Sequence, residues 1–320
     1  MSPPQSYPSA HSLTRALLAG LSFPALGRAY DAVICGENGY SGTGNDSLSY
    51  SANAWNADGS GFQCMSIDND PPAFDATWSW TSNPGSVHSY PRVSFASQQL
   101  PVPLANISSL DVGVQWSYSP GQDATSSARI LNTGGLDKLG TVANVAFDMF
   151  ADPDPDKAVS ATTAAAEIMI WIGTVGDPWP IGYSTNRTCF KQALGSVDFT
   201  LYTGRNTRGT RVFTWVAQAN ETGFFHEISP LLQYLWRNDL VPSNATLGLI
   251  EFGSEAYHAD ANVTFSASNF SIDVSVGQAP QLDLADMPKK CSDAAAAYVR
   301  TSSWWILVVS YSATFYVLYF

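Results

Sequence analysis

The stretch Ala166-Glu167-Ile168-Met169-Ile170-Trp171-Ile172-Gly173 sets three isoleucines against a glutamate, a methionine and a tryptophan. Successive side chains of a β-strand point to opposite faces. Ile168, Ile170 and Ile172 therefore face a core, while Glu167, Met169 and Trp171 share the other surface of one sheet. A second run, Leu249 to Glu255, repeats the arrangement: Glu251, Gly253 and Glu255 fall on one face, Ile250 and Phe252 on the other. In a third, Phe147-Asp148-Met149, the aspartate opposes an apolar pair. The chain has only six glutamates, so one inside an otherwise apolar strand calls for a reason. These strands carry no lysine or arginine, which leaves surface ion pairing without a cation. Three carboxylates, Glu167, Glu255 and Asp148, are thus expected on the concave side of one sheet.

Working outward, short alternating segments broken by Gly, Pro, Asn and Asp continue from Tyr30 onward, the pattern of an all-β sandwich or barrel. Strands are predicted over Thr77–Thr81, Val87–Phe95, Val112–Tyr118, Val142–Phe150, Ala166–Ile172, Val197–Thr203, Arg211–Gln218, Ala245–Phe252 and Val263–Val276. One segment has helical spacing instead: Ile228, Leu231, Leu232, Leu235 and Trp236. With Ser229 as N-cap and Pro230 at the first helical position, it predicts a single helix over Pro230–Asn238, laid on the outside of the sandwich. The Ser-, Thr- and Gly-rich stretch Gly121–Gly140 reads as a long loop.

The ends differ in character from the middle. Residues 1–29 read as a secretory signal peptide, with an apolar stretch from Ala16 to Leu26 and small residues near Gly27-Arg28-Ala29. Residues 30–288 form one domain. Residues 289–320 read as a spacer followed by an uncharged apolar tail from Trp304 to Phe320. This order fits a glycosylphosphatidylinositol-anchor signal; a retained membrane helix is the competing reading. Seven Asn-X-Ser/Thr sequons, at Asn45, Asn106, Asn186, Asn220, Asn244, Asn262 and Asn269, agree with an exported glycoprotein. A net charge of -12 and pI ≈ 4.5 argue against nucleic acid as a partner and suit a neutral polysaccharide. The four cysteines allow three pairings. Cys35–Cys64 is preferred because it staples the first hairpin region, which leaves Cys189 with Cys291. No Cys/His spacing suits a metal, and the reading calls for no metal site and no cofactor.

Two carboxyl groups on neighbouring strands can hydrolyse a glycosidic bond with retention. One attacks as the ionised nucleophile. The other protonates the leaving oxygen and later takes a proton from water. The runs Glu167-Ile168-Met169-Ile170-Trp171, Pro180-Ile181-Gly182, Val216-Ala217-Gln218-Ala219-Asn220-Glu221-Thr222 and Phe252-Gly253-Ser254-Glu255 carry a resemblance here. So do Asn53-Ala54-Trp55, Gly59 to Cys64 and Phe147-Asp148-Met149-Phe150. Together, over about residues 35–276, the chain resembles glycoside hydrolase family 12, the endo-β-1,4-glucanases and xyloglucan-specific endoglucanases.

The resemblance implies a β-jelly-roll of two antiparallel sheets with an open cleft across the concave one. It implies Glu167 as nucleophile, Glu255 as acid/base, and Asp148 as the carboxyl that hydrogen-bonds the nucleophile. Asn53, Trp55, Met169, Trp171, Pro180, Ile181 and Tyr257 match substrate-binding positions, and Cys35–Cys64 matches the family's usual bridge. Four departures stand out. Asn38 stands where a tryptophan is usual, so a distal sugar platform is either missing or supplied by Tyr40. The Gly121–Gly140 loop is longer than usual and narrows one end of the expected cleft. Glu251 stands where relatives commonly have glutamine. The apolar tail is an addition.

The expected activity is that of a secreted or surface-anchored, monomeric, retaining endo-β-1,4-glucanase acting on β-1,4-linked glucan. The alternatives are a xyloglucan-specific endoglucanase, a non-catalytic glycan-binding jelly-roll, and a surface protein recognised by a partner.

Overall fold

A computed structural model describes residues 30–42, 47–121, 131–183, 190–281 and 289–290. The expected signal peptide, the expected anchor signal, the expected Cys189–Cys291 bridge and the sequons at Asn45 and Asn186 lie outside the described residues. Within them the chain forms seventeen strands and three helices. The first strands are β1 (Ala32–Cys35), β2 (Tyr40–Gly42), β3 (Leu48–Ser51), β4 (Gly61–Asn69), β5 (Pro72–Trp80), β6 (Arg92–Phe95), β7 (Val102–Pro103) and β8 (Ile107–Pro120). Helix α1 (Thr133–Asp137), β9 (Val142–Asp152), helix α2 (Pro155–Ala158) and β10 (Ala166–Val175) follow. After them come β11 (Phe190–Leu194), β12 (Val197–Arg205), β13 (Arg211–Ala217), β14 (Gly223–Glu227) and helix α3 (Ser229–Arg237). The last strands are β15 (Thr246–Gly253), β16 (Ala256–Val276) and β17 (Lys289–Lys290).

The strands pair into two layers. The outer sheet runs β1–β4–β5–β16–β8–β14. The inner sheet runs β2–β3–β6–β15–β9–β10–β13–β12–β11–β17. All these pairs are antiparallel except β10 with β13, which run parallel. The 21-residue β16 belongs to both layers: Ala256 and His258 pair with β9, and Val263 to Val276 pair with β8.

The core lies between the layers, where alternation predicts it. Ile168, Ile170 and Ile172 are fully buried there with Phe147, Met149, Ile250 and Phe252. Phe252 is 4.8 Å from Phe147 within the inner sheet and 6.2 Å from Phe265 across the core. Trp78, Trp80, Trp116 and Trp215 are among the largest fully buried side chains. The opposite face of the inner sheet carries a second, smaller apolar cluster of Ala146, Met169, Trp171 and Val212. A sheet apolar on both faces explains why β9 and β10 read as almost continuous hydrophobic runs.

The helical expectation holds in place but not in number or seating. The third helix spans Ser229–Arg237, within one residue of the reading at each end. Leu231, Leu232, Tyr234 and Leu235 join the main core, and Tyr234 contacts Trp215 edge-on at 5.5 Å. The helix therefore closes the core rather than lying outside it. Ser229 sits inside the helix, and no side chain caps its start. The Glu227 carboxylate instead accepts the Ser229 N–H at 2.7 Å and the Leu110 N–H at 3.0 Å, tying helix to strand. The end of the expected 121–140 loop is helix α1, whose Leu136 is buried and whose Asn132 accepts the Gly135 N–H.

Candidate active site

Residue pairing lays out the outward face of the inner sheet as rows. The central row reads Ser94, Glu251, Asp148, Met169, Thr214, Tyr202, from β6 through β15, β9, β10 and β13 to β12. One row to the side, Leu249, Phe150, Glu167, Val212 and Gly204 stand in line. On the other side lie Arg92, Gly253, Ala146, Trp171, Val216 and Thr200. Glu167 and Asp148 are therefore diagonal neighbours on adjacent strands, within reach of one another's charge. Glu255 follows β15 and enters the same cluster.

Four carboxyl groups influence one another here. Asp148 is 6 % exposed. Burial, reinforced by the charges of Glu167, Glu251 and Glu255, pushes its carboxyl well above the usual range. Glu167 is also raised by burial, but it has help in ionising. The Asn206 amide donates to its Oε2 at 3.2 Å, and the Arg208 charge favours the anion. Between these two neighbours, Asp148 is the better seat for a proton and Glu167 for a negative charge.

Glu255 is pushed up to about 7, first by burial and then by the charge of Glu167. Two donors oppose that shift. Tyr257 Oη donates to Glu255 Oε2 at 3.1 Å, and Asn144 Nδ2 donates to the same oxygen. Asn144 also fixes the backbone: its Oδ1 accepts the Glu255 N–H at 2.8 Å, and its N–H donates to the Glu255 carbonyl at 3.1 Å. A relay behind it holds Asn144 in turn. Trp78 Nε1 donates to Tyr118 Oη, the Tyr118 and Ser254 hydroxyls share a bond of 2.6 Å, and Ser254 Oγ donates to the Asn144 carbonyl.

The expectation that no cation serves this region is overturned. Arg92 on β6 pairs with Glu251 at 2.7 Å, and Ser94 Oγ donates to the same Glu251 oxygen at 2.8 Å. Glu251 is buried, so it neither faces solvent nor stands as a free charge. The partner was missed because it belongs to a strand far away in sequence. Asn144 and Asn206 were missed too. Alternation along β9 puts Asn144 on the face of Asp148 and would have found it; Asn206 sits in a turn, where no periodicity points to it.

The predicted binding residues divide by exposure. Trp55 is 54 % exposed on a turn fixed by Ala54 N–H to the Gly36 carbonyl and Asn56 Nδ2 to the Val87 carbonyl. Asn53 adopts a left-handed φ of 46°, a conformation asparagine tolerates, and its carbonyl accepts the Tyr90 N–H. Tyr40 is exposed on the edge strand β2. Ile181 is exposed, and Pro180 and Tyr257 are buried. Met169 and Trp171 form the floor. At 2 % exposure Trp171 packs against protein and offers no open ring, unlike the cleft wall expected of it. Three buried polar atoms of this face, Asp148 Oδ1, Trp171 Nε1 and Thr214 Oγ1, have no hydrogen-bond partner among the described residues. The Cys35–Cys64 disulfide joins directly paired residues of β1 and β4.

Residues 46–275 match the profile of Glycosyl hydrolase family 12. A protein of Aspergillus flavus named as a probable xyloglucan-specific endo-β-1,4-glucanase A is 30% identical over 269 residues, covering 82% of this chain and 98% of that protein. The xyloglucan-specific endo-β-1,4-glucanase A of Aspergillus niger is 30% identical over 264 residues, covering 81% and 97%. Among solved structures, the catalytic domain of Humicola grisea Cel12A, determined with a thio cellotetraose, superposes with a TM-score of 0.61 at 26% identity. That match covers 76% of this chain and 99% of that one. A profile match over most of the chain, relatives aligned nearly end to end, and a fold that brings the acidic strands onto one cleft lead to the same place: this chain belongs to glycosyl hydrolase family 12.

Proposed function

We propose that the protein is an endo-acting, retaining β-1,4-glucan hydrolase with Glu167 as nucleophile, Glu255 as acid/base and Asp148 as the proton-bearing neighbour that steadies Glu167. The observation that carries this reading is the division of labour among the carboxyls. Glu255 is raised to about 7 by burial and the charge of Glu167, as a general acid near neutral pH requires. Glu167 receives the Asn206 amide and the field of Arg208, as a nucleophile requires.

The cycle follows from the same charges. Glu255 protonates the departing oxygen while Glu167 attacks the anomeric carbon. Esterification removes the charge of Glu167 and with it part of what holds the proton on Glu255. The freed Glu255 carboxylate then takes a proton from the water that hydrolyses the glycosyl ester. Retention needs the two carboxyl groups roughly 5–5.5 Å apart.

Replacing Glu167 with Gln is expected to abolish turnover while leaving polysaccharide binding largely intact. Hydrolysis at a near wild-type rate would remove Glu167 from this role.

A second reading, xyloglucan as the preferred substrate, is favoured by the names of the Aspergillus relatives. Comparing reducing-end release from a soluble cellulose derivative, mixed-linkage β-glucan and xyloglucan decides between the two. The expected signal peptide, the sequons and the apolar tail support work outside the cell, secreted or held by a lipid anchor; the monomeric state is part of the same proposal.

A further inference from the structure

On the β12 side of Glu167 the cleft carries an aromatic arrangement that neither the carboxyl chemistry nor the core uses. Trp179 is 67% exposed. Its indole stacks on Tyr183, with 5.4 Å between centroids and 17° between planes. Tyr183 in turn leans on Tyr202 at 5.8 Å, and Tyr202 stands on the cleft face in the row of Met169 and Thr214.

The segment bearing these rings is seated on the sheet. A Cβ at Gly182 would lie 2.0 Å from the Thr203 carbonyl oxygen, and one at Gly204 would lie 2.4 Å from Ile181 Cγ2. Both glycines therefore permit a close approach that a larger residue would forbid. Pro178 and Pro180 restrict φ on either side of Trp179. The result is a large ring backed by a second ring on one side and mostly open to water, on a support that holds its orientation.

We infer that Trp179, backed by Tyr183, is a stacking subsite for a glucosyl ring of the glucan main chain, lying away from the bond that is cleaved. A β-linked glucosyl ring has its substituents equatorial, so both faces are C–H surfaces and its hydroxyls form the rim. That shape suits an indole face, which gains from burial without asking for hydrogen bonds. Two strand spacings, about 10 Å, separate β12 from β10, so a chain crossing the strands from Glu167 reaches Trp179 only after further sugars. This subsite rests on the proposed glucan activity for its choice of ligand.

The test titrates cello-oligosaccharides, from cellobiose to cellohexaose, into the full chain carrying Glu167→Gln, with and without Trp179→Ala or Trp179→Phe. The expected result is a loss of about tenfold or more in affinity for the longer oligosaccharides with Trp179→Ala. The shortest should show little change, and Trp179→Phe should recover part of the loss. In the active protein, Trp179→Ala should raise KM for long chains with kcat nearly kept and shift the positions of cleavage. Equal affinities at every length, or an equal loss at every length, would overturn the subsite. If the wild-type chain hydrolyses no glucan yet binding still depends on length and on Trp179, the subsite stands and the hydrolase reading falls.

Discussion

A carboxyl that delivers a proton and later retrieves one must hold its pKa near the working pH, and Glu255, the proposed acid/base, is tuned by few contacts. Burial and the charge of Glu167 raise it to about 7, while Tyr257 and Asn144 pull it down by donating to its oxygen. Because the acid must be protonated to act, kcat/KM should fall as pH rises through about 7. Replacing Tyr257 with Phe removes a donor that favours the ionised form, so that limb should move to higher pH. A limb that stays put in the pH profile would separate Tyr257 from the proton donor. At this scale much was legible. The alternation around Glu167 and the acid at Asp148 follow from single-strand periodicity, whereas Glu255 lies just past the end of β15. Arg92 was not legible, because its pairing with Glu251 depends on a strand neighbour 159 positions away.

At the scale of elements, β10 bears Glu167, the proposed nucleophile, and is shaped by an irregularity. Its register against β9 shifts between Trp171 and Gly173, a bulge of the kind that re-aims side chains near active sites. Gly173 is required there, since a Cβ would lie 2.2 Å from Trp116 Cζ2. Trp116 cannot easily yield, because its Nε1 donates to the Glu221 carbonyl at 2.7 Å. Gly173→Ala should therefore cost about 1–3 kcal/mol in urea denaturation, with β10 displaced toward the cleft. A variant as stable as wild type would show that Trp116 has room to move. The long, regular strands β9, β10, β12, β13 and β15 were read within a few residues. Strands β4 and β14 were not, since Gly61–Asn69 and Gly223–Glu227 mix polar and apolar residues without clean alternation. The start of α3 was placed one residue late because Ser229 looked like a cap, whereas Ser229 lies inside the helix and the Glu227 carboxylate holds its N–H.

For the whole molecule, periodicity announced an all-β sandwich or barrel and the family resemblance a two-sheet jelly-roll, but neither showed how the layers are joined. The predicted strand Val263–Val276 is only the second half of β16. Its first half, Ala256 to Asn262, lacks a readable pattern and shifts register between Ala259 and Val263. Exported proteins that rely on glycans face a further constraint visible only in three dimensions. The Asn220 amide accepts the Thr174 N–H and donates to the Thr174 carbonyl, so a glycan there would compete at the Nδ2 that makes the second bond, whereas Asn106 and Asn244 are exposed. The continuity of β16 has a kinetic consequence. The strand begins one residue after Glu255 and ends deep in the outer layer, with no linker between the two regions to act as a hinge. Opening the outer layer should thus displace Glu255, the proposed proton donor, and the cleft should not loosen ahead of the rest. Under native conditions, amides from Ala256–Ala259 and from Phe265–Ala267 should exchange with deuterium at the same opening free energy, and heat should extinguish activity in the same transition that exposes the buried tryptophans. Faster exchange confined to Ala256–Ala259 would mean that the cleft breathes on its own.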